Sequence, residues 1–174
     1  MKIFWFFLIV ILTTIGSPAC FAYTISGLVI AVVDGDTISI IDAGNTKYKV
    51  RLAGIDSPEK SQSFGERSKQ NMVRMVFGRS VQVEWQKEDR YGRIVGKVLA
   101  PQENCRDNTC PKSLDVGLAQ IAVGLAWHYK KYEREQEQAD RVIYSDYENQ
   151  ARAKNIGLWS EPNPIAPWNF RRKK

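Results

Sequence analysis

Three acidic residues lie where strands of a predicted sheet begin or end, and together they could bind a metal ion. Asp36 follows an Asp-Gly turn signal at the start of one strand, and Asp56 and Glu59 follow another strand. Their carboxylates, with the backbone carbonyl of Ser57, are hard oxygen ligands that suit Ca²⁺. They match no EF-hand loop, so such a site must be assembled across the fold. The alternative is that each is an ordinary turn residue.

Two arginines accompany these carboxylates. Arg51 lies inside a predicted strand, where alternation places it on the face of Ala53 and Ile55 and predicts an inward-facing side chain. Arg93 opens a later strand, directly after a tight turn. Two planar guanidinium groups near a carboxylate cluster could clamp the oxygens of a phosphate. A pair of structural salt bridges explains the same residues equally well.

A β-rich pattern must position these side chains. Alternating β-branched residues, separated by Gly, Asp and Asn, predict five strands, and amphipathic spacing predicts three helices. One helix inserted after the third strand favours an α+β fold, a five-stranded Greek-key β-barrel of the OB type with about three helices around it. The predicted strands are 24–36, 37–42, 47–55, 80–86 and 92–100, and the predicted helices are 63–78, 114–127 and about 138–154.

Each predicted helix carries an apolar side that should face the barrel. Asp115 is the expected N-cap of the second helix, which is apolar on most of its surface. The predicted buried positions are Met72, Val73, Val76 and Phe77 in the first helix and Ala139, Val142, Ile143, Tyr147 and Ala151 in the third.

The N-terminus has the outline of a secretory signal peptide. Lys2 precedes an apolar run that is shorter than the roughly 20 residues a membrane span needs. Small and turn-forming residues follow, and we expect cleavage after Ala22. Cys20 offers lipid attachment as an alternative. We therefore divide the chain into a signal peptide (1–22), one domain (23–160) and a Pro-rich, basic C-terminal extension (161–174) that is either packed or a flexible tail.

The cysteines and the charge agree with an exported protein that has an anionic partner. Without the signal peptide two cysteines remain, and in an oxidising compartment Cys105 and Cys110 are predicted to form a disulfide. A zinc site is the weaker alternative, because the chain has a single histidine. The 25 Lys and Arg residues exceed the 19 Asp and Glu residues, giving a net charge of +6. This charge indicates nucleic acid or a membrane surface without deciding between them.

Three short strings in order carry a family resemblance. The chain contains VDGDT, RLAGIDSPE and DRYGR, followed by GLAW and a late GLW. This combination resembles the staphylococcal nuclease (thermonuclease) family over roughly residues 25–160, and it is most similar to exported bacterial and plasmid-borne members. The resemblance implies an OB-type barrel and a Ca²⁺-dependent phosphodiesterase that cleaves DNA and RNA and leaves 3′-phosphate ends.

The resemblance also implies a set of metal ligands. Asp36 and Asp56 would bind Ca²⁺ through their carboxylates, and Ser57 would bind it through its backbone carbonyl. Asp34 would support this metal site from behind the ligands.

The implied catalytic residues are three charged side chains. Glu59 would act as a general base or orient the attacking water. Arg51 and Arg93 would stabilise the negative charge that develops on the phosphoryl group.

Aromatic residues near these motifs are candidates for nucleotide binding. Tyr91, Tyr129 and Tyr132 could stack on bases or sugars. Ordinary packing at a helix end is an equally good interpretation of these tyrosines. His128 has no partner in the sequence pattern, and we interpret it as structural or solvent-exposed.

Three classes of function remain open at this level, of which the third is an export-pathway or envelope protein that uses the barrel to bind other proteins. The first is a periplasmic or secreted nuclease with DNA and RNA as substrates, monomeric and without stable membrane association after signal cleavage. The second is a non-catalytic OB-fold module that binds nucleic acid. The presence of Arg51, Glu59 and Arg93 together with Asp36 and Asp56 favours the enzyme.

Overall fold

A computed structural model of the protein describes residues 23–102, 104–105 and 110–172. The predicted signal peptide and its cleavage site lie outside these residues. The strands are β1 (Tyr23–Val32), β2 (Thr37–Ile41), β3 (Lys47–Leu52), β4 (Ile55–Asp56), β5 (Ser80–Glu88), β6 (Ile94–Pro101), β7 (Lys112–Asp115) and β8 (Trp127–His128). The helices are α1 (Gly65–Val76), α2 (Val116–Ala122), α3 (Gln138–Ala153) and α4 (Pro167–Arg172), with 3₁₀ turns at Lys130–Glu135 and Gly157–Ser160.

Five strands close into a barrel, which confirms the predicted α+β fold. The antiparallel order is β3-β2-β1-β5-β6, and a parallel pairing of β3 with β6 completes the circle. Strand β7 continues the sheet beyond β6, and β4 pairs with β8 in a separate two-stranded ribbon. These last elements were not predicted, because strands of two to four residues carry too little alternation to be recognised.

The barrel interior is filled by aliphatic side chains, and this decides where Arg51 points. Val50 and Leu52 are buried in the core on either side of Arg51. Because successive side chains of a strand alternate between faces, Arg51 lies on the opposite, outer face. The expected inward orientation is therefore wrong. Alternation counted from Ala53 and Ile55 gives the wrong face, because β3 ends at Leu52 and does not include them.

Helix α2 begins as predicted and ends early. The Asp115 carboxylate accepts a hydrogen bond from the Leu118 N–H at 3.0 Å, as expected of an N-cap. The helix ends at Ala122 rather than at 127, because Gly124 has a φ of +65° and turns the chain away. The chain then runs into β8, which brings Trp127 beside β4.

The buried faces of α1 and α3 differ from the predicted apolar stripes. In α1, Val73 and Phe77 are exposed, while Ser68 is buried and donates a hydrogen bond to the Leu125 carbonyl. In α3, the predicted apolar stripe is largely on the surface, and Val142 is 57% exposed. Tyr144 is buried in its place. Ser68 and Tyr144 each carry a hydroxyl, so a search for apolar residues at helical spacing does not select them. Their burial is favourable because each hydroxyl donates a hydrogen bond inside the fold.

Polar contacts fix the buried face of α3. The Tyr144 hydroxyl donates to the Asp115 carboxylate at 2.9 Å. The Glu148 carboxylate accepts a hydrogen bond from the backbone N–H of His128 at 3.1 Å. Both contacts tie α3 to segments that lead into or out of α2. They therefore hold the helices against the end of the barrel where β4 and β8 lie.

The predicted disulfide is present, and it joins Cys105 to Cys110. It tethers the ends of the connection between β6 and β7. No helix in the described part of the chain is long and apolar enough to span a bilayer.

Replacing Gly124 with Ala should destabilise the fold strongly. A Cβ at this position would overlap the carbonyl oxygen of Ile156, and the positive φ would add strain. We expect a loss of about 3 kcal/mol or more in the free energy of unfolding, measured by urea denaturation.

Gly78→Ala is the matched control for this prediction. Gly78 also has a positive φ, of +71°, but the described residues place no atom within 4 Å of the position that its Cβ would take. This substitution should therefore cost only about 1 kcal/mol, the strain of the backbone alone. Equal losses in the two variants would contradict the packing argument.

Candidate active site

Two carboxylates from segments far apart in the sequence meet at the end of the barrel where β2 begins and β3 ends. Asp36 precedes β2 and is 4% exposed, and Asp56 ends β4 and is 1% exposed. The backbone N–H of Ser57 donates to Asp36 Oδ2 at 3.0 Å, and the N–H of Leu52 donates to the Asp36 carbonyl at 2.8 Å. These hydrogen bonds join the β1–β2 turn to the segment that follows β3. The barrel thereby brings together two acidic motifs that are 20 residues apart in the sequence.

Arg51 lies between these carboxylates. Its Nη1 is 2.6 Å from Asp36 Oδ2, and its Nη2 is 3.0 Å from Asp56 Oδ1. Burial disfavours the charged guanidinium, but the two carboxylates outweigh it and hold the pKa of Arg51 above its usual range. The structure thus contains the ion pairs expected of Arg51. These ion pairs are compatible with a phosphate-binding role. A metal ion bound between Asp36 and Asp56 would free the guanidinium of Arg51 to contact a substrate phosphate.

The buried carboxyl of Asp36 and the half-buried carboxyl of Asp34 have pKa values shifted in opposite directions. Burial alone would raise the pKa of Asp36, but Arg51 and hydrogen bonds from Ser57 and Thr37 outweigh it, and its pKa lies below the usual range. For Asp34, burial and the adjacent charge of Asp36 raise the pKa to about 6. The Asp34 carboxylate accepts a hydrogen bond from the Asp36 N–H at 3.0 Å. Asp34 therefore holds the backbone of Asp36, and its support of a metal site stays a prediction.

Glu59 joins the cluster through a residue that the sequence did not single out. Arg171, in the C-terminal helix α4, places Nη1 2.6 Å from Glu59 Oε1 and Nη2 2.7 Å from Asp56 Oδ2. Burial raises the pKa of Asp56, while the guanidinium groups of Arg171 and Arg51 oppose this effect. The C-terminal basic tip resembled a generic charged end, and nothing in its spacing indicated that it returns to the site.

The C-terminal extension is packed on the site rather than detached from it. The Trp168 ring stacks on Tyr129 with centroids 5.2 Å apart, and it meets Trp127 edge-on at 5.5 Å. The Gln62 side chain donates to the Ile165 carbonyl. The extension therefore covers both the carboxylate cluster and one of the tyrosines proposed for nucleotide binding.

Arg93 lies in the turn between β5 and β6 and pairs locally. Its Nε donates to Asp89 Oδ2 at 2.7 Å, and its Nη2 is 2.6 Å from the same oxygen. The parallel pairing of Arg51 with Val95 puts this turn beside the strand that carries Arg51. The structure thus places Arg93 at the same end of the barrel as Arg51 and in contact with Asp89, not with the buried carboxylates. Tyr91 is 74% exposed beside it, with the Arg93 guanidinium 5.4 Å from its ring centre.

The other aromatic candidates, Tyr129 and Tyr132, contact each other and the end of β5. Tyr129 and Tyr132 meet edge-on, with ring centroids 5.3 Å apart. The ammonium groups of Lys87 and Lys131 each lie 5.4 Å from the Tyr132 ring centre. Exposed aromatic and basic side chains in this arrangement suit a single-stranded nucleic acid. His128 is buried and its Nε2 contacts Gln136 Oε1 at 2.9 Å, which agrees with the structural interpretation.

The donor set fits a hard divalent cation such as Ca²⁺. Asp36 and Asp56 are both buried and share one guanidinium, so their oxygens converge on a position that requires positive charge. Arg171 supplies a second positive charge at Asp56. No group of three His, Cys, Asp or Glu side chains forms a metal site anywhere in residues 23–102, 104–105 and 110–172. The Ser57 carbonyl and water would therefore have to complete the ligands.

Comparison with known proteins identifies the family of this chain. The family model for staphylococcal nuclease homologues matches residues 49–161. The chain belongs to this family. The matched range includes Arg51, Asp56, Glu59 and Arg93, and it ends before α4 begins.

Individual relatives cover most of the chain. A "Micrococcal nuclease" of Shigella flexneri is 38% identical over 84% of this chain and 80% of its own length. "Protein ParB" of Escherichia coli is 40% identical over 84% of this chain and 79% of its own. An "Uncharacterized endonuclease" of Haemophilus influenzae is 36% identical over 84% of this chain and 72% of its own.

Proposed function

We propose that this family member is a Ca²⁺-dependent nuclease that hydrolyses phosphodiester bonds of DNA and RNA with little sequence specificity and leaves 3′-phosphate ends. The observation that carries this proposal is the convergence of Asp36, Asp56, Glu59 and Arg51 at one end of the barrel. The names of the relatives support nuclease activity. The buried oxygen donors support Ca²⁺.

Each residue of the cluster has a role in this reaction. Asp36, Asp56 and the Ser57 carbonyl would hold the cation, which would polarise the phosphoryl group when bound. Glu59 would accept a proton from the attacking water as the water oxygen bonds to phosphorus and the bond to the 5′ oxygen breaks, and the leaving 5′ oxygen would take a proton from solvent. Arg51 and Arg93 would stabilise the added negative charge on the phosphoryl oxygens. A leaving 5′ oxygen is what gives a 3′-phosphate product.

We also propose that the enzyme acts outside the cytoplasm, in the periplasm or the medium, as a monomer. The predicted signal peptide supports export, and the Cys105–Cys110 disulfide suits an oxidising compartment. A nuclease without sequence preference would endanger the genome of the cell that makes it, so export is consistent with the activity.

The test is cleavage of single-stranded DNA and RNA in Ca²⁺ and in EGTA. We expect cleavage only with Ca²⁺, and Glu59→Ala and Arg93→Ala should each lower the rate on the order of 10²–10³-fold. Glu66→Ala, which removes an exposed carboxylate from the first turn of α1, is the control and should retain the rate. Mass spectrometry of the products should find 3′-phosphates. Salt-sensitive binding without cleavage would instead support the non-catalytic OB-fold module.

A further inference from the structure

Helix α4 occupies groups that the proposed reaction needs. Asp56 Oδ2 accepts a hydrogen bond from Arg171 at 2.7 Å, and Oδ1 accepts from both Arg51 at 3.0 Å and Arg171 at 3.2 Å. Glu59 Oε1 is engaged by the same guanidinium at 2.6 Å. One ligand of the proposed cation and the proposed general base are therefore both bound by a single side chain.

A cation at Asp56 and Arg171 at Asp56 compete for the same lone pairs. A carboxylate whose oxygens accept hydrogen bonds from two guanidinium groups has few lone pairs left for a metal ion. The positive charges would also repel each other at this distance. Binding of a divalent cation therefore favours departure of Arg171, and its departure frees Glu59 at the same time.

The contacts that hold α4 on the site are weak enough for a competing divalent cation to break them. The Arg171 side chain is 43% exposed, so solvent weakens its ion pairs. A helix of six residues is not stable alone, and α4 depends on Trp168 against Tyr129 and on Gln62 at Ile165. The release of one anchor thus weakens the whole extension.

We propose that α4 is a clasp that closes the active site in the cation-free protein, and that Ca²⁺ opens it by displacing Arg171 from Asp56 and Glu59. This inference rests on the proposed function, since it assigns Ca²⁺ to Asp56. Opening also removes Trp168 from Tyr129, so the same event uncovers an aromatic surface for nucleic acid. The clasp thereby couples cation binding to access of the substrate.

Calorimetric titration with Ca²⁺ alone, without nucleic acid, tests the competition. Arg171→Ala should tighten Ca²⁺ binding on the order of 5- to 20-fold. Without Arg171 the closed state is no longer favoured, so a larger fraction of the protein can bind Ca²⁺. Arg172→Ala is the matched control, since it removes the same charge from the adjacent, exposed position of α4. Its effect should be less than about 2-fold. Equal tightening in both variants would mean that the loss of one positive charge near the site explains the effect, and it would overturn the clasp.

Hydrogen exchange of residues 161–172 measures the opening itself. The N–H groups of Asn169 and Phe170 are bonded to the Ala166 carbonyl in the closed state. Adding Ca²⁺ to the unaltered protein should speed exchange in this segment, whereas a ligand that only rigidifies the protein would slow it. Unchanged or slower exchange would overturn the clasp. If cleavage depends on Ca²⁺ but the Arg171→Ala and Arg172→Ala variants have equal Ca²⁺ affinities, the clasp alone is refuted. If no variant binds Ca²⁺, both the clasp and the proposed function are refuted.

Discussion

Arg51→Met should lower the rate of nucleic-acid cleavage on the order of 10²–10³-fold and the free energy of unfolding by about 3 kcal/mol. The rate should fall because the proposed donor to the phosphoryl oxygens is lost. The free energy of unfolding falls because the carboxylates of Asp36 and Asp56 remain buried without the guanidinium that pairs with both of them. Single-turnover cleavage in Ca²⁺ and urea denaturation in EGTA measure the two effects separately.

Arg93→Met is the matched control for this prediction. Its partner Asp89 lies in a turn near the surface, so the loss of this ion pair should cost at most about 1 kcal/mol. The two variants should therefore share a large loss of rate and differ in stability. Ca²⁺ should restore part of the stability of Arg51→Met, since a cation replaces the missing positive charge. Equal stability of the two variants would contradict the role of Arg51 inside the carboxylate cluster.

Asp36→Asn should weaken Ca²⁺ binding by more than about 100-fold while leaving the fold intact. The amide has nearly the shape of the carboxylate, and its oxygen can still accept from Ser57 and Arg51 if its nitrogen faces Thr37. The charge that attracts the cation is lost. Calorimetric titration measures the affinity, and thermal unfolding in EGTA checks the fold.

Asp34→Asn removes a carboxylate next to Asp36 and serves as its control. Asp34 holds Asp36 through the backbone N–H of Asp36, so we expect only about a 10-fold loss of affinity. A larger loss from Asp34→Asn than from Asp36→Asn would reverse the assignment of ligand and supporting residue. Cleavage at saturating Ca²⁺ should recover in Asp34→Asn more fully than in Asp36→Asn.

Local sequence determined the barrel strands and the pairing of the cysteines. Alternating β-branched residues with Gly and Asp between them specify strands wherever one face is buried, and β1, β2, β3, β5 and β6 formed near the predicted positions. Cys105 and Cys110 are close in sequence and need no long-range information to meet. The motifs around Asp36, Arg51 and Asp56 likewise identified the charged residues that converge.

Only the tertiary structure decided which way several side chains face. Arg51 points outward because its neighbours Val50 and Leu52 fill the barrel, and α3 buries Tyr144 because the Asp115 carboxylate accepts a hydrogen bond from its hydroxyl. The orientation of Arg51 follows the alternation of Tyr48, Val50 and Leu52 once the end of β3 is known, whereas the burial of Tyr144 depends on a partner from another segment. The return of Arg171 to Asp56 spans 115 residues and is specified by charge complementarity in the folded chain. A sequence determines which groups carry charge, but the fold determines which charges meet, because pairing energy depends on distance and burial.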